Sequence, residues 1–276
     1  MDLRHTNLVP QAAVSAEHAR ALVARDGAAL ASGIGSLAEA VRFGETMLGE
    51  QCIRVRPQFE ATKAAQDKEQ AAFAALGADQ RGRERYQGGQ EVMQPAHYDG
   101  FGFGDFAPDH MFLWCERTCE LGGGSFLVDG LSLLSTLTAD DPELGRQLWT
   151  TDIDHSEPHF GSGAISPIAR LLPGGRVQVR AHPSQTSVPG DPGAADQLVA
   201  RWSEAVSIAR ESGARFRVSP GEMICIDNYR MFHGRDGYVD PDRKLHSIWA
   251  WTTSAVAVPA GVMDISVPAM PEALAR

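Results

Sequence analysis

Cysteine is scarce in this sequence, acidic residues outnumber basic ones, and no long apolar run occurs. The four cysteines, Cys52, Cys115, Cys119 and Cys225, form no CxxC pair and are too sparse for a small disulfide-stapled secreted scaffold. That usage points to a reducing cytoplasm. With 25 Lys and Arg against 35 Asp and Glu, the net charge of −10 argues against nucleic acid as a partner, because a phosphate backbone requires a basic face. No window approaches the length of a transmembrane helix, and Met1-Asp2-Leu3-Arg4-His5 lacks the charged-then-apolar order of a signal peptide, so no membrane association is expected. Internal repeats, low-complexity tracts and βαβ alternation are absent too, which weighs against a doubly wound sheet. A small molecule is the expected partner, and nothing here bears on oligomeric state.

What is present is enough for one core: 276 residues, 43% of them hydrophobic. Helices are expected at residues 17–24 and 36–48, with a brief strand between them at 27–33. A charged, alanine-rich stretch broken by Gln87-Gly88-Gly89-Gln90 predicts a mobile, solvent-facing excursion over about residues 66–92. Residues 109–115 and 122–130 suggest two strands joined by a tight glycine turn. Residues 131–149 look helical with Pro142 in a first turn, and residues 152–181 form short strands. A helical insertion follows at about 191–213, capped by Asp191 and stopped by Gly213. Strands return at 214–218, 222–226 and 244–252, before an extended tail from residue 255. The fold class is therefore mainly β with helical insertions, an antiparallel barrel or sandwich.

Chemistry concentrates in two stretches. In Pro95-Ala96-His97-Tyr98-Asp99-Gly100, read as extended, His97 and Asp99 leave one face and offer two of the three ligands of a 2-His-1-carboxylate facial triad. Alone, the same spacing describes a surface turn or a histidine bonded to a nearby carboxylate. The second stretch supplies a partner: an apolar strand delivers Asp227-Asn228 to a turn, and His233 begins the next strand. In a closed barrel, strands distant in sequence become neighbours and aim their ligands at one metal. On the last strand Arg243, Leu245, Ser247, Trp249 and Trp251 share a face, and the tryptophans make it inward. A guanidinium there calls for an anion, with a structural salt bridge as the plainer alternative. Met93, Tyr98 and Phe101 cluster about the ligand strand as candidate substrate contacts. Arg235 is either a second pocket cation or an exposed loop residue. His155-Ser156-Glu157-Pro158-His159 imitates a zinc motif but Pro158 breaks the helix it needs, and His110, His182 and His246 read as ordinary histidines.

Taken together, His97-Tyr98-Asp99, Gly122-Gly123-Gly124-Ser125, Asp227-Asn228, His233-Gly234-Arg235 and Arg243-Lys244-Leu245-His246 resemble, in order and spacing over about residues 20–252, the taurine dioxygenase and clavaminate synthase-like branch of the Fe(II)/2-oxoglutarate-dependent oxygenases. The resemblance implies a double-stranded β-helix (jelly roll) forming a single oxygenase domain over 1–276. It implies Fe(II) held by His97, Asp99 and His233, and 2-oxoglutarate bound by Arg243 and by Ser125, which stands where the family has threonine. No catalytic residue is expected beyond the metal ligands. The activity implied is hydroxylation of an unactivated C–H bond of a small molecule, a compound of secondary metabolism or an amino-acid-like one, using O2 and converting 2-oxoglutarate to succinate and CO2. Desaturation, epoxidation and ring formation are alternative outcomes, and a non-catalytic jelly-roll binding module is the alternative of another class. Ser247 replaces the arginine with which taurine dioxygenase grips its anionic substrate, so no such grip is expected there. In related halogenases a small residue replaces the acidic ligand, so the presence of Asp99 favours oxygenation.

Overall fold

In the computed structural model, which describes residues 3–58, 92–156, 164–188, 192–240 and 242–258, regular elements follow the polar–apolar rhythm of the chain. In chain order these are β1 (Gln11–Ala12), α1 (Ala16–Asp26), β2 (Ala28–Ala31), α2 (Leu37–Leu48), β3 (Cys52–Pro57), β4 (Gln94–His97), β5 (His110–Arg117) and β6 (Ser125–Asp129). Then come α3 (Gly130–Asp140), α4 (Pro142–Thr150), β7 (Ile153–Asp154), β8 (Ile165–Ser166), β9 (Ala169–Leu171), β10 (Val177–Val179) and β11 (Thr186–Ser187). The last four are α5 (Pro192–Ser212), β12 (Met223–Asp227), β13 (Met231–Arg235) and β14 (Lys244–Thr252). Side-chain oxygens start four of the helices, each accepting from free backbone N–H groups of the first turn: Ser15 for α1, Ser36 for α2, Asp129 for α3 and Asp141 for α4. Pro142 opens α4, where its missing N–H costs nothing.

Two sheets face each other as the layers of a double-stranded β-helix: a six-stranded one, ordered β1-β2-β12-β5-β14-β3, and a three-stranded one, ordered β4-β13-β6. Period-two alternation gives every central strand two apolar faces. Met111, Leu127, Ile224, Ile226, Trp249 and Trp251 fill the space between the sheets. The next residues along the same strands, among them Phe112, Cys225, Ile248 and Ala250, pack outward against Leu22, Ala40 and Met47 of α1 and α2. Phe126, Val128 and Phe232 of the smaller sheet pack instead on Leu133, Leu137 and Trp202 of α3 and α5. The helical insertion thus covers the back of the sheet whose front carries His97 and His233.

Two expectations are corrected. Residues 109–115 and 122–130 do form strands, but β5 lies between β12 and β14 in the larger sheet while β6 pairs with β13 in the smaller, so they are not a hairpin. Both present apolar residues to one interior from opposite sides, which requires the chain to cross between sheets. Gly122 and Gly123, with φ of +73° and +64°, make that crossing, and a Cβ on Gly122 would stand 2.2 Å from the Gly237 carbonyl oxygen. Residues 214–218 form no strand, only an isolated bridge between Phe216 and Ser125. The expected excursion up to residue 91, the Asp191 cap, His159 and the tail beyond residue 258 lie outside the described residues. Among the described residues no helix is long and apolar enough to cross a membrane.

The histidine of the false zinc motif is a satisfied core residue. His155 is buried, with its ring bonded to the Ser166 carbonyl (2.9 Å) and to the Gln185 side chain (3.0 Å). Burial, with the charge of Arg180, pushes its pKa down to about 3, and burial beside His155 does the same to His182. Both rings stay neutral in the folded chain, whereas the unfolded chain protonates them near their ordinary value of 6.5. The unfolded state therefore binds more protons between those limits, and stability falls as pH drops below 6.5, by at most about 1.4 kcal/mol per pH unit for each histidine. Urea midpoints should decline steadily from pH 6.5 towards 4; a midpoint flat from pH 7 to 5 would contradict this.

Candidate metal centre

His97 and His233 face each other directly across the antiparallel β4–β13 pair. Opposed residues of such a pair project to the same side of the sheet, so the register alone brings their rings together, with centroids 4.4 Å apart. Gly234 permits the approach, since a Cβ there would meet the Phe126 ring at 2.3 Å and the Gln94 carbonyl oxygen at 2.6 Å. Asp99 joins them differently from the expected strand. Strand β4 ends at His97, and Asp99 lies in the turn that follows. The turn is shaped by Asn228, whose side chain accepts from the Asp99 amide (2.8 Å) and donates to the carbonyls of Asp99 (2.9 Å) and Pro108 (2.7 Å).

One oxygen of Asp99, Oδ1, lies 3.4 Å from His97 Nε2 and 3.6 Å from His233 Nε2. The other, Oδ2, accepts from Ser247 Oγ (2.9 Å) and Trp249 Nε1 (2.7 Å). The Pro95 carbonyl, 2.9 Å from His97 Nδ1, can only accept, so Nδ1 carries a proton and Nε2 is the nitrogen turned to Asp99. Burial pushes His233 down to about 3, leaving it neutral. Burial also raises Asp99, but the neighbouring imidazoles of His97 and His233 and the hydrogen bond from Trp249 outweigh that and hold the carboxyl well below the usual range. The result is a buried set of two imidazoles and one carboxylate, whose ligand atoms lie within 4.8 Å of one another. It is the only such three-residue group of His, Cys, Asp or Glu among the described residues. Two nitrogens and one oxygen with lone pairs converging suit a divalent first-row metal and satisfy the donor chemistry of the facial triad.

The remaining sequence candidates divide. Arg243 is half-buried, stacks on the Tyr238 ring at 4.6 Å and donates to the Gly123 carbonyl (3.3 Å). No carboxylate among the described residues pairs with it. Ser125 is buried at the start of β6, two residues beyond Gly123 and opposite Arg235 in the β6–β13 register. Arg235 stacks on the other contact of the same ring, 4.7 Å from Tyr238, so it is part of this cationic corner rather than a stray loop residue. Tyr98 is corrected: it is wholly buried with Ala96, Phe126 and Trp202, on the helix-covered side of the smaller sheet, because alternation along β4 turns it away from His97. Met93 meets the Arg210 guanidinium through its sulfur. The Phe101 side chain lies outside the described residues. The supports of Asp99, namely Asn228, Ser247 and Trp249, were not assigned a role from sequence. The available signal was a serine on a strand face that otherwise carries tryptophans into the interior.

A family model described as "Taurine catabolism dioxygenase TauD, TfdA family" matches residues 6–249. Among characterised proteins, gamma-butyrobetaine dioxygenase from Homo sapiens is 27% identical over 144 residues, which is 48% of this chain and 36% of the relative. The same protein from Pongo abelii gives identical values. The match therefore spans little more than a third of those relatives. Among solved structures, asparagine oxygenase in complex with Fe(II), 2S,3S-3-hydroxyasparagine and succinate superposes with a TM-score of 0.55 at 16% identity, covering 86% of this chain and 83% of that one. The non-heme iron oxygenase OrfP in complex with Fe gives 0.52 at 17% identity, covering 86% and 77%. At such identities the likeness is one of fold.

Proposed function

Because the chain belongs to the taurine catabolism dioxygenase TauD, TfdA family, we propose that it is an Fe(II)- and 2-oxoglutarate-dependent oxygenase that hydroxylates a small molecule. The observation that carries this reading is the convergence of His97 Nε2 and His233 Nε2 on a single oxygen of Asp99. These three side chains would hold Fe(II), which with 2-oxoglutarate and O2 supplies the oxidant for an unactivated C–H bond and yields succinate and CO2. Arg243 and Ser125 would bind 2-oxoglutarate, the guanidinium pairing with the distal carboxylate and the hydroxyl adding a hydrogen bond. Supporting this, the Gly123 carbonyl bonded by Arg243 lies two residues before Ser125, so one glycine turn ties the two groups together. Trp249, whose indole donates to Asp99, is buried beside the three side chains.

Hydroxylation is favoured over desaturation, epoxidation or ring formation by the 3-hydroxyasparagine named with the asparagine oxygenase. An amino-acid-like substrate fits the same observation, and Ser247 is bonded to Asp99, which leaves no anionic grip at that position. The whole chain acts as one oxygenase domain, in the cytoplasm, in keeping with four unpaired cysteines. Anaerobic addition of Fe(II) and 2-oxoglutarate should produce a metal-to-ligand charge-transfer band, followed on aeration by substrate-stimulated succinate. A folded protein showing neither is a non-catalytic jelly-roll module instead.

A further inference from the structure

Asp99 is held on every side, and two of its restraints act on the carboxylate itself. Asn228 fixes the backbone, through the amide and carbonyl of residue 99. Ser247 and Trp249 fix the side chain, donating to Oδ2 at 2.9 and 2.7 Å. The two donors stand two positions apart on β14, so both point inward from the larger sheet, while His97 and His233 project from the smaller one. Oδ1 is the oxygen turned towards both imidazoles. A carboxylate oxygen carries about two acceptor sites. Both sites of Oδ2 are engaged by donors, so Asp99 cannot offer that oxygen to a metal without breaking a hydrogen bond.

We propose that Ser247 and Trp249 are positioning residues that restrict Asp99 to one ligating oxygen, Oδ1. This rests on the iron site proposed above and extends it. A carboxylate free to turn can chelate with both oxygens, and the second occupies a coordination position that a facial triad leaves for co-substrate and O2. The larger sheet thus reaches across the barrel to keep that position open.

Co(II) titrations of metal-free protein, followed anaerobically by visible absorption, test this without turnover. Ser247→Ala and Trp249→Phe should each raise the Co(II) dissociation constant by about tenfold, the low end for an outer-sphere partner of a metal ligand. Each should also alter the visible band, as a second carboxylate oxygen takes a coordination position otherwise left to solvent. Ser247→Thr, which keeps the hydroxyl, should bind and absorb like the parent. Thermal melts of the metal-free forms establish folding, and the half-buried Ser247 pair decides the matter if the buried Trp249 variant does not fold. Unchanged affinity and spectrum in either folded variant overturns the role of that residue, and equal loss in Ser247→Thr and Ser247→Ala overturns it in favour of packing. A parent protein that binds no Co(II) overturns the iron site itself, a separate outcome.

Discussion

Asp99→Ala should yield a folded protein that forms no succinate in the presence of substrate, Fe(II), 2-oxoglutarate and O2. Folding is expected to survive because the Asn228 bonds engage the backbone of residue 99 and do not need its side chain. Removing the carboxylate leaves the buried Trp249 N–H and the Ser247 hydroxyl without their acceptor, so the metal-free variant should fold but melt somewhat lower than the parent. The chemical loss is large. Asp99 is ionised at neutral pH and contributes the only negative charge of the three ligands, since the other two are imidazoles. Two imidazoles remain, and affinity for a divalent metal should fall by more than about 100-fold, beyond what loss of an outer-sphere partner costs. Metal titration and succinate analysis check this together. Parent-like turnover in the variant would mean that the ligand set is wrong.

Arg243→Ala should leave metal binding intact and weaken 2-oxoglutarate binding about 30- to 100-fold. A guanidinium paired with a carboxylate away from bulk water contributes about 2–5 kcal/mol when truncated, and the half-exposure of Arg243 argues for the low end of that range. The effect should fall on KM for 2-oxoglutarate, with kcat recovering at saturation, because the residue grips the remote end of the co-substrate. Arg243→Lys should recover only part of the loss, as an ammonium lacks the two-pronged geometry. Titration of the charge-transfer band with 2-oxoglutarate reads the affinity directly. If Arg243→Ala binds like the parent while Arg235→Ala does not, the second guanidinium on Tyr238 is the true partner.

Local sequence was sufficient for features governed by local rules. The β14 bounds followed from alternation, and the inward face with Ser247, Trp249 and Trp251 is the one observed. Pro142 marked the first turn of α4, because a proline has no N–H to lose there. His97, Asp99 and His233 could be singled out because the residue types a metal needs are few and their order along the chain is distinctive.

Elsewhere the outcome depended on partners far away in the chain. The glycine turn after β5 looked like a hairpin because turn residues specify a change of direction and not the sheet that receives the next strand. The interior demanded one strand on each side. Tyr98 looked like a pocket residue from its neighbours in sequence, yet pairing of β4 with β13 put it on the helix-covered face. Asp99 was placed on a strand, and what brings it to the histidines is a turn held by Asn228 from the far end of the chain. The sequence by itself determined which residues could bind a metal and the rhythm of the strands that carry them. Only the tertiary structure decided which oxygen of Asp99 faces the histidines, since that rests on Ser247 and Trp249 reaching across the core from the opposite sheet, a long-range geometry that no local pattern encodes.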